Sequence, residues 1–116
     1  SFTPILAPMP RGILATVTAK LASNSSTEDM QKIYHTFFKQ SKFVSVLKPG
    51  IMPMTSAVLG SNNVQMQVMV DSHVNRILIS TAIDNLGKGA AGQAIQNANL
   101  MTGQAENAGI EILGVR

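Results

Sequence analysis

The sequence has 116 residues, room for one domain rather than two, and 45% of them are apolar, enough for a core. Nine lysines and arginines against six carboxylates leave a formal charge of +3, but these charges are spread along the chain and aromatics are sparse, so no nucleic-acid face is predicted. With no cysteine, disulfides, Cys-ligated zinc and a thiol nucleophile are excluded within this chain, and no apolar run is long enough to span a membrane. The chain opens on Ser1 and an apolar stretch, without initiator methionine or signal peptide, which predicts processing or excision from something longer.

Residues 2–7 read as a short strand, confined by Pro4 to an edge. Pro8, Pro10 and Gly12 make a rigid turn, with Arg11 in it as an exposed charge or the partner of a carboxylate. Residues 13–20 form the next strand, with Ile13, Ala15, Val17 and Ala19 on one face. Ser25 followed three residues later by Glu28 fits a capping box. Met30, Ile33, Tyr34, Phe37 and Phe38 then recur at helical spacing, a stripe expected to be the main wedge of the core, with His35 off it in solvent. Residues 43–47 are a short strand closed by Lys48-Pro49-Gly50.

Residues 64–71 alternate: Val64, Met66, Val68 and Val70 take one face, and Gln65, Gln67, Met69 and Asp71 the other. The two glutamines are expected to face water or a second subunit. A tight connection at 72–75 returns the chain through residues 76–83, giving an antiparallel hairpin with His73 in its turn. Neither histidine has a companion at metal-ligand spacing, so no metal is assigned. Residues 110–115 read as a last strand.

The stretch from 82 to 101 organises the rest. Asp84 and Asn85 are placed to cap a helix over 87–102, with Gly103 as its stop. Gly87, Gly89 and Gly92 fall in its first turns, where each costs about 1 kcal/mol relative to alanine. Something must therefore approach closely, either a ligand or another part of the protein. Together they spell the dinucleotide-binding fingerprint G-x-G-x-x-G. That reading fails, because the strand before it belongs to an antiparallel hairpin and too little chain follows to complete a doubly wound sheet.

The same stretch, Asp84-Asn85-Leu86-x-Lys88-Gly89-Ala90-Ala91-Gly92-Gln93-Ala94-x-Gln96-x-x-Asn99-Leu100-Met101, resembles the C-terminal signature of N-acetyl-gamma-glutamyl-phosphate reductases. Two further blocks agree in order: Phe2-Thr3-Pro4-x-Leu6-x-Pro8-Met9-x-Arg11-Gly12-Ile13-Leu14-Ala15-Thr16, and Thr55-x-Ala57-Val58-x-Gly60-Ser61-Asn62. Gly87 departs from the family, which usually has a larger residue there, and so reads as an accidental glycine. Aspartate-semialdehyde dehydrogenases share the Asp-Asn-Leu-x-Lys-Gly-Ala-Ala core and are an alternative within the enzyme class. A stand-alone α+β dimerisation module without catalysis is an alternative outside it.

The element order reads as α+β, a mixed and largely antiparallel sheet with helices on one face. The resemblance implies the same, in the form of the second domain of glyceraldehyde-3-phosphate-dehydrogenase-like enzymes, and runs the block at 55–62 through a short strand into a loop. It also implies residues 1–116 as the C-terminal substrate and oligomerisation domain of a cytoplasmic, NADP-dependent reductase of arginine biosynthesis. The helix at 87–102 would pack on an N-terminal nucleotide-binding domain, and the enzyme would be a homo-oligomer. Asn85, Lys88 and Gln93 are then the candidates for the cofactor and Arg11 for the substrate. No catalytic residue is expected in this chain, which lacks the thiol, so the chain alone should be inactive.

Overall fold

The computed structural model describes residues 1–111. Strand β1 (Ile13–Lys20) is followed by helix α1 (Thr27–Phe37), strand β2 (Val44–Val46), a single helical turn α2 (Thr55–Val58), and strands β3 (Val64–Asp71) and β4 (Arg76–Ile83). A π-helical turn, Gly87–Ala91, then runs directly into helix α3 (Gly92–Met101). The four strands form one sheet in the order β1-β4-β3-β2. β1 and β3 are antiparallel to β4, and β2 is parallel to β3. The sheet is thus mixed and largely antiparallel.

The β3–β4 hairpin is the stem of the fold. Asp71 accepts from His73 N at 3.0 Å, and Asn75 takes a positive φ of 49° to close the turn. Valines and isoleucines on both strands bring the core to this stem: Val68 is fully buried and Val64 and Ile77 nearly so, joined by Phe43 and Val58. Each such side chain contributes about 1.5–3 kcal/mol on burial.

Helix α1 begins one residue later than the spacing predicts. Ser26 is its cap, accepting from Asp29 N at 3.0 Å, while Asp29 accepts in return from Ser26 N at 3.1 Å. The helix also turns a different face inward. Gln31 is buried and Met30, Tyr34 and Phe38 half-buried, whereas Ile33 and Phe37 stand in solvent at 55% and 78% exposure. The aromatic stripe is therefore not the main wedge of the core.

The reason lies at the edge of β3. β2 pairs only with residues 64–66, which leaves the backbone of β3 open beyond Met66. Side chains of α1 close it: Thr27 Oγ1 accepts from Val70 N at 3.0 Å, and Gln31 Nε2 donates to Val68 O at 3.0 Å. Gln67 joins them and faces neither water nor a second subunit. Its oxygen accepts from Gln31 Nε2 and Val68 N, and its amide donates to Lys48 O and Ile51 O, at 2.6–2.8 Å. A polar helix face wins because it satisfies backbone groups that would otherwise be buried unpaired.

Three other expectations change. Residues 2–7 form no strand and are exposed throughout, so Phe2, Ile5 and Leu6 project from the body. The stretch expected as a short strand at 55–62 opens with the helical turn α2 instead. Of the strand expected at 110–115, Ile110 is a buried residue outside any strand, and residues 112–115 lie outside the described residues. Among the described residues nothing covers β1 on either face: all eight of its residues are exposed, with Leu14 and Val17 about half accessible.

Candidate functional site

The pairing of Ile13 with Ile83 and of Val64 with Ile83 brings three chain passages to one end of the sheet. They are residues 11–12 entering β1, residues 60–63 entering β3 and residues 84–92 leaving β4. The three sequence blocks of the resemblance therefore converge on a single place.

At its centre is Asp84, fully buried. Arg11 meets it side-on along one edge of its guanidinium, Nε to Oδ1 at 2.9 Å and Nη2 to Oδ2 at 2.8 Å. Oδ1 also accepts from Leu86 N at 2.8 Å and Gly87 N at 3.1 Å, and Oδ2 accepts from Gly60 N. Burial alone would raise this carboxyl group. The guanidinium and the three N–H groups outweigh burial and hold it well below the usual carboxylate range. At neutral pH Asp84 is thus an anion that ties all three passages together. Arg11, a third exposed, has the carboxylate partner that its sequence context allowed.

Asn85 does not cap the helix. Its Oδ1 accepts from Gly12 N at 2.7 Å, a second clasp between the end of β4 and the start of β1. Gly12 is at φ +107°, and a Cβ there would lie 2.7 Å from Thr55 Cβ, so only glycine fits.

The glycines after Asp84 have an internal reason. A Cβ at Gly87 would run into the Ser61 carbonyl, and one at Gly92 into Asn62 Oδ1 and the Gly87 carbonyl. In this chain, therefore, Gly87 has a local reason, since a larger residue would need the Ser61 backbone to shift. The close approach is between the helix and the chain's own 60–62 loop, not between the helix and a phosphate.

Lys88 turns inward over the ring of Phe43, 5.3 Å from its centroid, and donates to Gln96 Oε1. Gln96 also accepts from Asn62 Nδ2 at 3.0 Å and donates to Glu106 Oε1 at 2.6 Å. Burial pushes the Lys88 ammonium below its usual range, and the charge of Glu106 restores part of the shift. Asn62 Oδ1 is buried, and no described residue hydrogen-bonds to it.

Gln93, one residue beyond buried Gly92, is exposed. Ile95, Leu100 and Met101 on the same helix are exposed too, so α3 keeps an apolar outer surface. The structure thus groups Arg11, Asn85 and Lys88 around the Asp84 end of the sheet with their main polar groups engaged, and leaves Gln93 outside. Asp84, Gly60 and Asn62 complete the cluster; the sequence marks Asp84 only as a cap. Among the described residues no three of the histidine, aspartate and glutamate side chains come together as a metal site, and no helix is long and apolar enough to cross a membrane.

Residues 1–85 match the family model described as semialdehyde dehydrogenase, dimerisation domain. Across 115 residues, 99% of this chain, it is 49% identical to an N-acetyl-gamma-glutamyl-phosphate reductase of Corynebacterium glutamicum (strain R), and 47% identical to one of Desulforamulus reducens. One of Salinispora arenicola is 50% identical over the same share. The chain spans about a third of the length of these curated relatives, 33–34%. Among solved structures it is similar to aspartate semialdehyde dehydrogenase II from Vibrio cholerae, with a TM-score of 0.64 over 79% of this chain and 27% of that one. The sequence identity there is 23%, so this likeness speaks for the fold alone.

Proposed function

The chain belongs to the semialdehyde dehydrogenase dimerisation-domain family, and on that premise we propose that it is part of a cytoplasmic, NADP-dependent N-acetyl-gamma-glutamyl-phosphate reductase. That enzyme would reduce N-acetylglutamyl 5-phosphate to the 5-semialdehyde in arginine biosynthesis. The observation that carries the reading is the 45–50% identity over 98–99% of the chain to relatives that all bear this name. Reductive acyl transfer of this kind uses a covalent nucleophile. This chain has no cysteine, so the thiol and the nucleotide-binding half would both come from elsewhere in a longer protein. The role left to this chain is to assemble subunits and to complete the cofactor pocket from one side.

The three candidates for the cofactor differ in what they have to offer. Asn85 has its oxygen on Gly12, and Lys88 has its ammonium on Gln96 and Phe43. Both fit a role in holding the turn. Gln93 is exposed and follows a helix turn of small residues, which suits contact with a carboxamide across a domain boundary. NADPH, when bound, supplies the hydride; Gln93 would only orient it. The apolar outer surface of α3 would rest on the nucleotide-binding domain. Arg11 retains free N–H groups beyond those spent on Asp84, and would direct them at an anionic group of the substrate.

The test is a chimera in which this chain replaces the matching third of the Corynebacterium glutamicum reductase. It should catalyse phosphate-dependent reduction of NADP+ by N-acetylglutamate semialdehyde, while the isolated chain gives no turnover. In the chimera Gln93→Ala should weaken NADPH binding about fivefold, the loss of one hydrogen bond of about 1 kcal/mol, without lowering the melting temperature. A folded, assembled chimera that ignores this substrate, or prefers aspartate semialdehyde, would overturn the assignment.

A further inference from the structure

α1 and the turn after it frame a cleft of about 700 Å3 against β2. Lys32 and His35 line it from the helix, Lys39 and Ser41 from the turn after it, and Val44–Val46 from the strand. Two properties of this cleft bear on what it receives.

The first is an open strand edge. β2 is outermost on its side of the sheet. Phe43 O accepts from Val64 N and Leu47 N donates to Met66 O, both at 2.7 Å, so the odd-numbered residues turn their backbone groups to β3. Alternate residues of a strand point to opposite edges, so Val44 and Val46 turn theirs outward. Along β3 the fold closes such an edge with Thr27 and Gln31. Nothing among the described residues does the same for β2. An edge left open is a template for another strand.

The second is charge. None of the six carboxylates lies between Asp29 and Asp71, whereas Lys32, Lys39, Lys42 and Lys48 all do. Asp29 itself is held by the N–H and hydroxyl of Ser26 at the start of α1. Lysines that look scattered in the sequence are thus in excess here, Lys32 having only Asp29 nearby on its own helix, and Lys32 and Lys39 line the cleft beside the open edge.

We propose that this cleft receives an extended acidic segment of a partner protein, added to β2 as a fifth strand with its carboxylates toward Lys32 and Lys39. Backbone pairing at Val44 and Val46 supplies attachment, and the lysines select for acidic sequence. A nucleic acid fits this edge poorly, because the outward carbonyls of Val44 and Val46 repel phosphate. The inference stands independently of the proposed reductase activity.

The probe is a fluorescein-labelled hexapeptide of alternating glutamate and valine, followed by anisotropy, with an alternating lysine–valine hexapeptide as control. The acidic peptide should bind this chain at least about tenfold more tightly than the control, a difference of about 1.4 kcal/mol, and more weakly as salt rises. Lys32→Glu with Lys39→Glu should abolish binding. Val46→Pro should abolish it as well, because it removes an outward N–H and leaves the β2–β3 ladder intact. Should Val46→Pro fail to fold, amide hydrogen exchange on the unmutated chain decides: the peptide must slow the Val44 and Val46 amides. Binding that survives Val46→Pro, amides that exchange unchanged, or stronger competition by single-stranded DNA than by unlabelled peptide each overturn the proposal. So does loss of binding in the folded chimera with the rest of the Corynebacterium glutamicum protein, which would mean that the same polypeptide fills the edge.

Discussion

Replacing Asp84 by asparagine keeps the shape of the side chain and changes two things at once. The charge opposite Arg11 disappears, and one oxygen becomes an NH2 group. Whichever way the amide turns, that NH2 faces a donor: Gly60 N–H with Arg11 Nη2 on one side, or Leu86 N–H, Gly87 N–H and Arg11 Nε on the other. Each buried N–H left facing that NH2 loses its acceptor, at about 1–3 kcal/mol apiece. Arg11→Met acts from the other side. Asp84 then keeps its three N–H donors, and only the charged bonds to the guanidinium are lost. Such bonds contribute about 1.5–3 kcal/mol when shielded. Arg11 is 35% exposed, so solvent screening reduces its share to about 1–2 kcal/mol. Urea unfolding of both variants at neutral pH should therefore show the asparagine variant losing at least twice as much stability. Against a total of about 5–15 kcal/mol for a domain, that loss is easily measured. Equal losses would refute the reasoning, since they would mean that the pair matters and the backbone clasp does not. The same cluster sets a pH dependence. The folded-state pKa of Asp84 is depressed below its ordinary 3.8, so its contribution is complete above that value and is lost as pH falls towards the lower folded value. Asp29 is lowered as well, mainly by the Ser26 N–H, but is unchanged in Asp84→Asn. The difference in acid slope between wild type and that variant thus isolates Asp84.

Gly87→Ala should cost about 1–3 kcal/mol by thermal melting, because its Cβ meets the rigid Ser61 backbone, whereas Gly89→Ala, with its nearest neighbour at 3.3 Å, should stay within about 1 kcal/mol of wild type. Gln67→Leu, isosteric but unable to bond, should lose about 2–4 kcal/mol in urea unfolding, since Lys48 O, Ile51 O and Val68 N–H lose their partner. The uncovered β1 and the apolar outer surface of α3 predict self-association, and Val17→Lys should shift the chain towards monomer in light scattering. A clean monomer for the unmodified chain at high concentration would remove β1 as the assembly surface.

The sequence made β1, β3 and β4 legible because period-two alternation and a short connection are local signals, and the strands fall where these signals put them. It made α1 legible as a helix but not the face that α1 buries. Hydrophobic spacing assumes that apolar side chains decide the orientation. Here a free stretch of β3 backbone competes, and Gln31 and Thr27 answer it at the expense of Ile33 and Phe37. Which stretch of backbone needs a partner depends on how far β2 extends, and no local pattern states that. Gln67 obeys the same logic: alternation marks it as polar but does not say that its polar group meets backbone rather than water.

The site was legible as a stretch and not as a cluster. Asp84 and its neighbours announce a chain reversal, so a cap is what local chemistry predicts, and Asp84 does accept from Leu86 and Gly87. Its bonds to Gly60, 24 residues away, and Arg11, 73 residues away, follow only once β1, β3 and β4 are in register. The glycines show the difference most clearly. Three glycines in one turn demand a close neighbour, and that inference was sound. A phosphate, another domain and the protein's own loop satisfy the demand equally well in sequence. Register decides among them, because the β3–β4 pairing carries the 60–62 loop against the turn and fills the space that a Cβ would need. Gly87 and Gly92 of the G-x-G-x-x-G pattern are therefore the imprint of an internal contact with the 60–62 loop, whereas Gly89 has only looser neighbours at the end of β4 and the start of β1.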